Sequence, residues 1–221
     1  MDINKIQILL LLLFLIANFP LIGVSRTLFP LKLFVFQGLL LTANTLLITL
    51  QEDSHTPQDS IQKFILPTLI LLAKAIIIPY LIKVTIVATK AYRETRPIIP
   101  YGTSIVLAML GTLVSIFLGF KLNSLSHLSS HTISISLAVI FIGLIAIIGR
   151  KNAVFQIMGY MAMENGIFLL TLPLSHTNPL IIDVLILVDV LVAVTVRKNA
   201  VYWISKEFKS IEVDKLTTLK W

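Results

Sequence analysis

Cysteine is absent from the 221 residues. That excludes disulfides, thiolate metal centres and cysteine-held iron–sulfur clusters in this chain. Charge is nearly as scarce, at 13% of residues, about half the share of an ordinary soluble domain. Acids are the rarer sign, with 11 Asp and Glu against 18 Lys and Arg. There is no Gly-rich phosphate loop and no nucleophile–base set, so no catalytic residue and no bound cofactor is assigned. What fills the chain instead is apolar: 57% of residues are hydrophobic. No water-soluble fold of this length hides so much apolar surface; lipid is the solvent that suits it.

Seven apolar runs approach the roughly 20 residues that cross a bilayer. They are Ile6–Val24, Leu33–Leu50, Phe64–Ile82, Gly102–Phe120, Thr132–Gly149, Ala153–Leu174 and Leu180–Ile204. They are too long, and too little alternating, for barrel strands. The expected fold is all-α, an integral membrane bundle of about seven transmembrane helices. The first run follows Asp2 and Lys5 rather than a strongly basic start, and no small-residue cleavage site follows it. It is read as a retained helix, not a signal peptide.

The connections alternate in charge. Arg26 and Lys32 lie between runs 1 and 2, and Glu52, Asp53 and Asp59 between runs 2 and 3. Lys83, Lys90, Arg93 and Arg96 follow run 3, against the single acid Glu94, and Arg150 and Lys151 follow run 5. The positive-inside rule predicts an outer N-terminus, a cytoplasmic C-terminus, and cytoplasmic loops 1–2, 3–4 and 5–6. The basic residues lie in loops and the tail, which favours a membrane protein over a nucleic-acid binder. Tyr101, Tyr202 and Trp203 fit interfacial positions.

Phe34, Gly38 and Asn44 in run 2 recur at the same spacing as Phe155, Gly159 and Asn165 in run 6. Both runs enter from the same predicted side. This suggests two parallel three-helix units joined by an extra helix. The expected division is 1–88 for the first unit, 89–101 for a cytoplasmic loop and 102–120 for the linking helix. The second unit is 132–204, and the cytoplasmic tail is 205–221.

Four ionisable residues interrupt the apolar runs: Lys74, Glu164, Asp183 and Asp189. At 1.5 Å per residue, Lys74, Glu164 and Asp189 lie about 15 Å deep, near the membrane centre, and Asp183 about 5 Å. A charge at that depth is costly and must face protein, water or another charge. Two readings follow: a structural pair in which Lys74 neutralises a carboxylate, or a proton or cation relay. Pro67 and Pro79 bracket Lys74, and Pro79 is expected to kink its helix. Asn44 and Asn165 are expected to hydrogen-bond across helices. The histidines, His55, His127, His131 and His176, fall on the predicted outer side, so neither haem nor a metal site is expected.

The stretch Arg150-Lys151-Asn152-Ala153-Val154-Phe155-Gln156-Ile157-Met158-Gly159 resembles the second helix of subunit K of respiratory complex I. Its continuation, Glu164-Asn165-Gly166-Ile167, resembles hydrogenase-4 component E, the longer relative found in formate hydrogenlyase and other group 4 membrane hydrogenases. The acidic pair in the last run and the lysine in run 3 match that pattern. The resemblance implies two subunit-K-like units. It also implies a non-catalytic membrane subunit of a complex-I-related assembly that couples electron transfer to ion translocation. Its implied partners are other membrane subunits, antiporter-like ones among them. Subunit K carries functional glutamates on its second and third helices. Direct alignment puts Met161 at the first, with Glu164 one turn later, and leaves Asp183 and Asp189 as alternatives for the second. A subunit of a multisubunit cation/proton antiporter and a membrane scaffold are the competing readings.

Overall fold

The computed structural model describes residues 3–50, 64–65, 67–94, 96–123 and 129–172. Among them six helices are long and apolar enough to cross a membrane: Asn4–Gly23, Leu28–Leu50, Pro67–Val87, Tyr101–Leu122, Ser130–Gly149 and Ala153–Thr171. They match the first six apolar runs, and no strand accompanies them among the described residues. The seventh run, with Asp183 and Asp189, lies outside the described residues, as do the tail and Glu52, Asp53 and Asp59.

The first span is not one continuous helix. A helix over Ile3–Ile16 stops, and a short one restarts over Pro20–Gly23. Pro20 has no N–H to give the carbonyl four residues back, and its ring crowds that carbonyl. The break is covered from the second span, where Gln37 Nε2 donates to the Ala17 carbonyl at 2.8 Å. The Asn18 amide, also buried, donates to Phe14 O at 2.8 Å. Polar side chains thus supply what the backbone loses, as an apolar surrounding requires.

The third span departs from α geometry around Lys74. Leu71–Ile77 forms a π-helix, and α geometry resumes over Ile78–Thr89. The Ile78 N–H reaches Ala73 O, five residues back. Pro79 has no N–H and can serve neither Ala75 nor Lys74. The proline expected to kink the helix therefore adjoins a widened turn. The helix closes at Lys90, in the left-handed region with φ 52°.

Two apolar clusters fill the bundle. One gathers Ile22, Phe34, Ile78, Ile82, Ala108, Ile142, Phe155 and Met161. The other gathers Leu11, Phe14, Leu41, Ile70, Val139, Phe168 and Leu169. Spans four, five and six pack most extensively in sequence order. Gly143 permits a close approach of spans five and six: a Cβ there would lie 2.6 Å from the Gly159 carbonyl oxygen. Gly38 does the same for spans two and three, where a Cβ would lie 2.9 Å from Ala75 Cα. Small residues set such distances in membrane bundles, where lipid competes equally for apolar contact. The repeat-matched glycines thus pack on different neighbours: Gly38 on the third span, Gly159 on Ala146 of the fifth.

The fourth span leaves Val106, Met109, Leu113, Phe117 and Phe120 exposed, a face suited to lipid or a partner helix. Three connections meet at one end of the bundle. Thr27 N–H donates to Tyr92 O at 3.1 Å and Glu94 N–H to Ser25 O at 2.8 Å. Ile98 and Ile99 both donate to Gly149 O, at 2.9 and 3.1 Å. Loops 1–2, 3–4 and 5–6, the basic ones, therefore share a side.

Candidate functional site

Lys74 and Glu164 come together inside the bundle. Lys74 Nζ lies 4.0 Å from Glu164 Oε1, with side chains only 2% and 4% exposed. Each residue is reached through the helix that carries it. Lys74 sits on the π turn between Ile70 of one apolar cluster and Ile78 of the other. Glu164 follows Met161 and Ala162 of the first cluster and precedes Phe168 of the second. The pair therefore occupies the seam between the two apolar clusters. Lys74 Nζ also stands 5.4 Å from the centre of the Phe168 ring, within cation–π range. At 4.0 Å the charges attract without a direct hydrogen bond locking them.

Asn44 and Asn165 are both buried. Neither side-chain amide has a hydrogen-bond partner among the described residues, so the expected cross-helix bonds are not made there. Polar atoms left this way in an apolar interior are costly. Asn165 is next to Glu164 on the same helix, and Asn44 lies in the span whose Gly38 packs on the backbone of Lys74 and Ala75. Asp183 and Asp189, the other predicted site residues, lie outside the described residues. Among the described residues no three His, Asp or Glu side chains come together as a metal cage would require.

A second polar centre was not read from the sequence. Arg150, placed among loop charges, is fully buried at 0% exposure. Its Nη1 lies 3.5 Å from Glu94 Oε2, and its Nη2 donates to the carbonyl of Ile22, at the end of the short helix in span one. Its guanidinium lies 4.3 Å from the centre of the Tyr101 ring. Glu94 Oε1 accepts from Lys151 N at 2.7 Å and from Asn152 N at 3.1 Å. The Tyr101 hydroxyl donates to Glu94 O at 3.2 Å, so this residue covers an arginine rather than only marking the interface. Burial pulls the Arg150 pKa below the usual arginine range, and the Glu94 carboxylate pushes it back up. The one available signal was Glu94 itself, a lone acid among basic loop residues.

Comparison with known proteins finds a likeness in the C-terminal part. Residues 131–221 match the family model for NADH-ubiquinone/plastoquinone oxidoreductase chain 4L. The chain is 31% identical over 88 residues to hydrogenase-4 component E of Escherichia coli strain K12, covering 40% of this chain and 41% of that protein. It spans less than half the length of that relative. It is also 26% identical over 153 residues to an uncharacterized protein of Mycobacterium tuberculosis, covering 68% of this chain and 70% of the other. No solved structure matches. The resemblance carried by Arg150–Gly159 and Glu164–Ile167 is thereby borne out. Glu164 and Arg150 fall inside the part matched by chain 4L, whereas their partners Lys74 and Glu94 fall outside it.

Proposed function

We propose that this multi-pass membrane protein is a non-catalytic subunit of a complex-I-related, membrane-bound hydrogenase assembly. In that assembly it contributes to proton or cation translocation coupled to electron transfer. The observation that carries the reading is the buried Lys74–Glu164 pair, whose carboxylate lies in the part that matches chain 4L. A carboxylate and an ammonium held close together inside a bundle are groups that can pass a proton or attend a cation. Asn44 and Asn165 add buried amides with no hydrogen-bond partner among the described residues. Asp183 and Asp189 would extend the path from the last span. The partners are other membrane subunits, antiporter-like ones among them. The N-terminus is assigned to the outer side of the cell membrane, and the basic loops and C-terminus to the cytoplasm, on the charge of the connections.

The test is Glu164→Gln in the assembled complex, reconstituted in vesicles. This substitution keeps size and hydrogen bonding but removes titration. The complex should assemble and turn over with coupled ion translocation lost. Normal translocation would end the relay reading. The 4.0 Å contact also favours a second reading, a purely structural pair. On that reading Glu164→Gln loses assembly, and adding Lys74→Met restores it, because a lone buried charge is worse than none.

A further inference from the structure

Among the described residues, three basic side chains and no carboxylate line a hollow of about 450 Å³ at the loop end of spans two and three: Arg26, Lys32 and Arg93, beside Leu28, Phe29 and Tyr92. Arg26 and Arg93 face each other across an isolated antiparallel bridge. The two hydrogen bonds of that bridge join Thr27 to Tyr92 and Glu94 to Ser25, flanking the arginines rather than joining them. A pair of this kind holds its side chains closest, with Cα atoms about 4.5 Å apart, and like charges set directly opposite are unfavourable. The adjacent carboxylate gives no relief, because Glu94 is buried against Arg150 and two backbone amides. The backbone therefore fixes two arginines side by side, with Lys32 beside them. A bound anion would reverse the cost of that arrangement.

A second hollow of about 450 Å³ starts from two of the same residues, Leu28 and Lys32. It runs between spans two and three over Val35, Ala75, Ile76 and Pro79. A basic mouth thus opens onto a mainly apolar groove along membrane-spanning helices. We infer that the two hollows together bind one anionic phospholipid. Its phosphate lies between Arg26, Arg93 and Lys32, and an acyl chain lies in the groove. A soluble phosphate would use the mouth and leave the groove empty; an amphiphile uses both. Ala75 adjoins Lys74 and packs against Gly38, so the bound chain touches the widened turn that carries the buried lysine.

The experiment is native mass spectrometry of the full-length protein in mild detergent. The probes are phosphatidylglycerol, phosphatidylcholine with the same acyl chains, and glycerol phosphate as the free headgroup. Wild type should prefer phosphatidylglycerol on the order of tenfold, since each nearby basic residue contributes severalfold at an anionic surface. Millimolar glycerol phosphate should not displace the lipid. R26Q/R93Q should abolish the preference, and R26Q or R93Q singly should each reduce it about fivefold, which keeps the test open if the double variant misfolds. Val35→Trp, filling the groove with charge unchanged, should weaken retention of both lipids. Arg96→Gln, an exposed arginine outside both hollows, should change nothing. Equal retention of the two lipids by wild type, or an unchanged preference in the arginine variants, would overturn the inference. Displacement by glycerol phosphate would overturn it too, making the mouth a soluble-phosphate site.

Discussion

Glu94 meets Arg150 where three loops converge, and Glu164 meets Lys74 where two apolar clusters adjoin. In each pair the two residues come from opposite sides of the boundary at which the likeness to chain 4L begins. Both pairs therefore tie the matched part to the rest of the chain. They are held differently. Two backbone amides grip the Glu94 carboxylate, a helix-end carbonyl accepts from Arg150, and an aromatic ring covers the guanidinium. The Lys74–Glu164 contact is longer, at 4.0 Å, and sits on a widened helical turn. The cation differs as well. Lysine can surrender its proton when its environment demands it; arginine cannot. On the relay reading, one pair is built to stay and the other to respond.

The sharpest way to break this contrast is to remove each carboxylate. Glu94→Gln leaves a buried arginine that must remain charged, so a loss of roughly 3–5 kcal/mol is expected, seen as a collapse of thermal stability in detergent. Adding Arg150→Met should not restore it, because the amides of Lys151 and Asn152 and the Ile22 carbonyl still lose charged partners. Next in size is Gly38→Leu, which drives a side chain into the backbone of the π turn. It should cost about 3 kcal/mol and disturb the Lys74 pair while leaving the loop cluster intact. Proteolysis at the loop end should therefore match wild type. Glu164→Gln should cost less than Glu94→Gln, about 2 kcal/mol, because its carboxylate stands 4.0 Å from Lys74, whereas that of Glu94 accepts from two backbone amides. Lys74→Met/Glu164→Gln should recover most of that in the same melting assay. If the two carboxylate variants melt alike, the contrast between the pairs is wrong. Smallest of all is Tyr101→Phe. It keeps the ring over Arg150 and deletes only the hydrogen bond to Glu94 O, for a loss of about 1 kcal/mol and a correspondingly slight shift in the melting curve.

Hydropathy made the six described spans readable, because a bilayer permits few alternatives to apolar helices of that length. Loop charge made the shared side of the basic connections readable. Depth along each run located Lys74 and Glu164, and their costly burial made a partner expected. What escaped was set by tertiary context. Hydropathy averages across Asn18-Phe19-Pro20, so the first run read as unbroken although Pro20 signals a break. Pro79 announced a distortion but not its type. Arg150 and Glu94 are 56 positions apart in the chain, and each by itself looks like an ordinary loop charge. Nothing local tells a solvated arginine from one enclosed by Tyr101, Ile22 and Glu94.

The π turn has a consequence for the whole third span. Ile70, Lys74, Ile78, Ile82 and Ile86 are each at most 3% exposed, and they stand four residues apart. At 3.6 residues per turn a step of four overshoots by about 40°, so four steps would carry Ile86 about 160° round from Ile70. The wider turn over Leu71–Ile77 takes in more residues per revolution and winds the stripe back into line. It acts as a phase correction. Ordinary winding over the same residues would carry Ile78 eight steps of 100° from Ile70, about 80° past two full turns, and rotate the two halves of the span against each other. Either the isoleucines beyond the turn or those before it would then face outward. At this position the winding of the backbone, at fixed length, chooses which side chains look into the bundle.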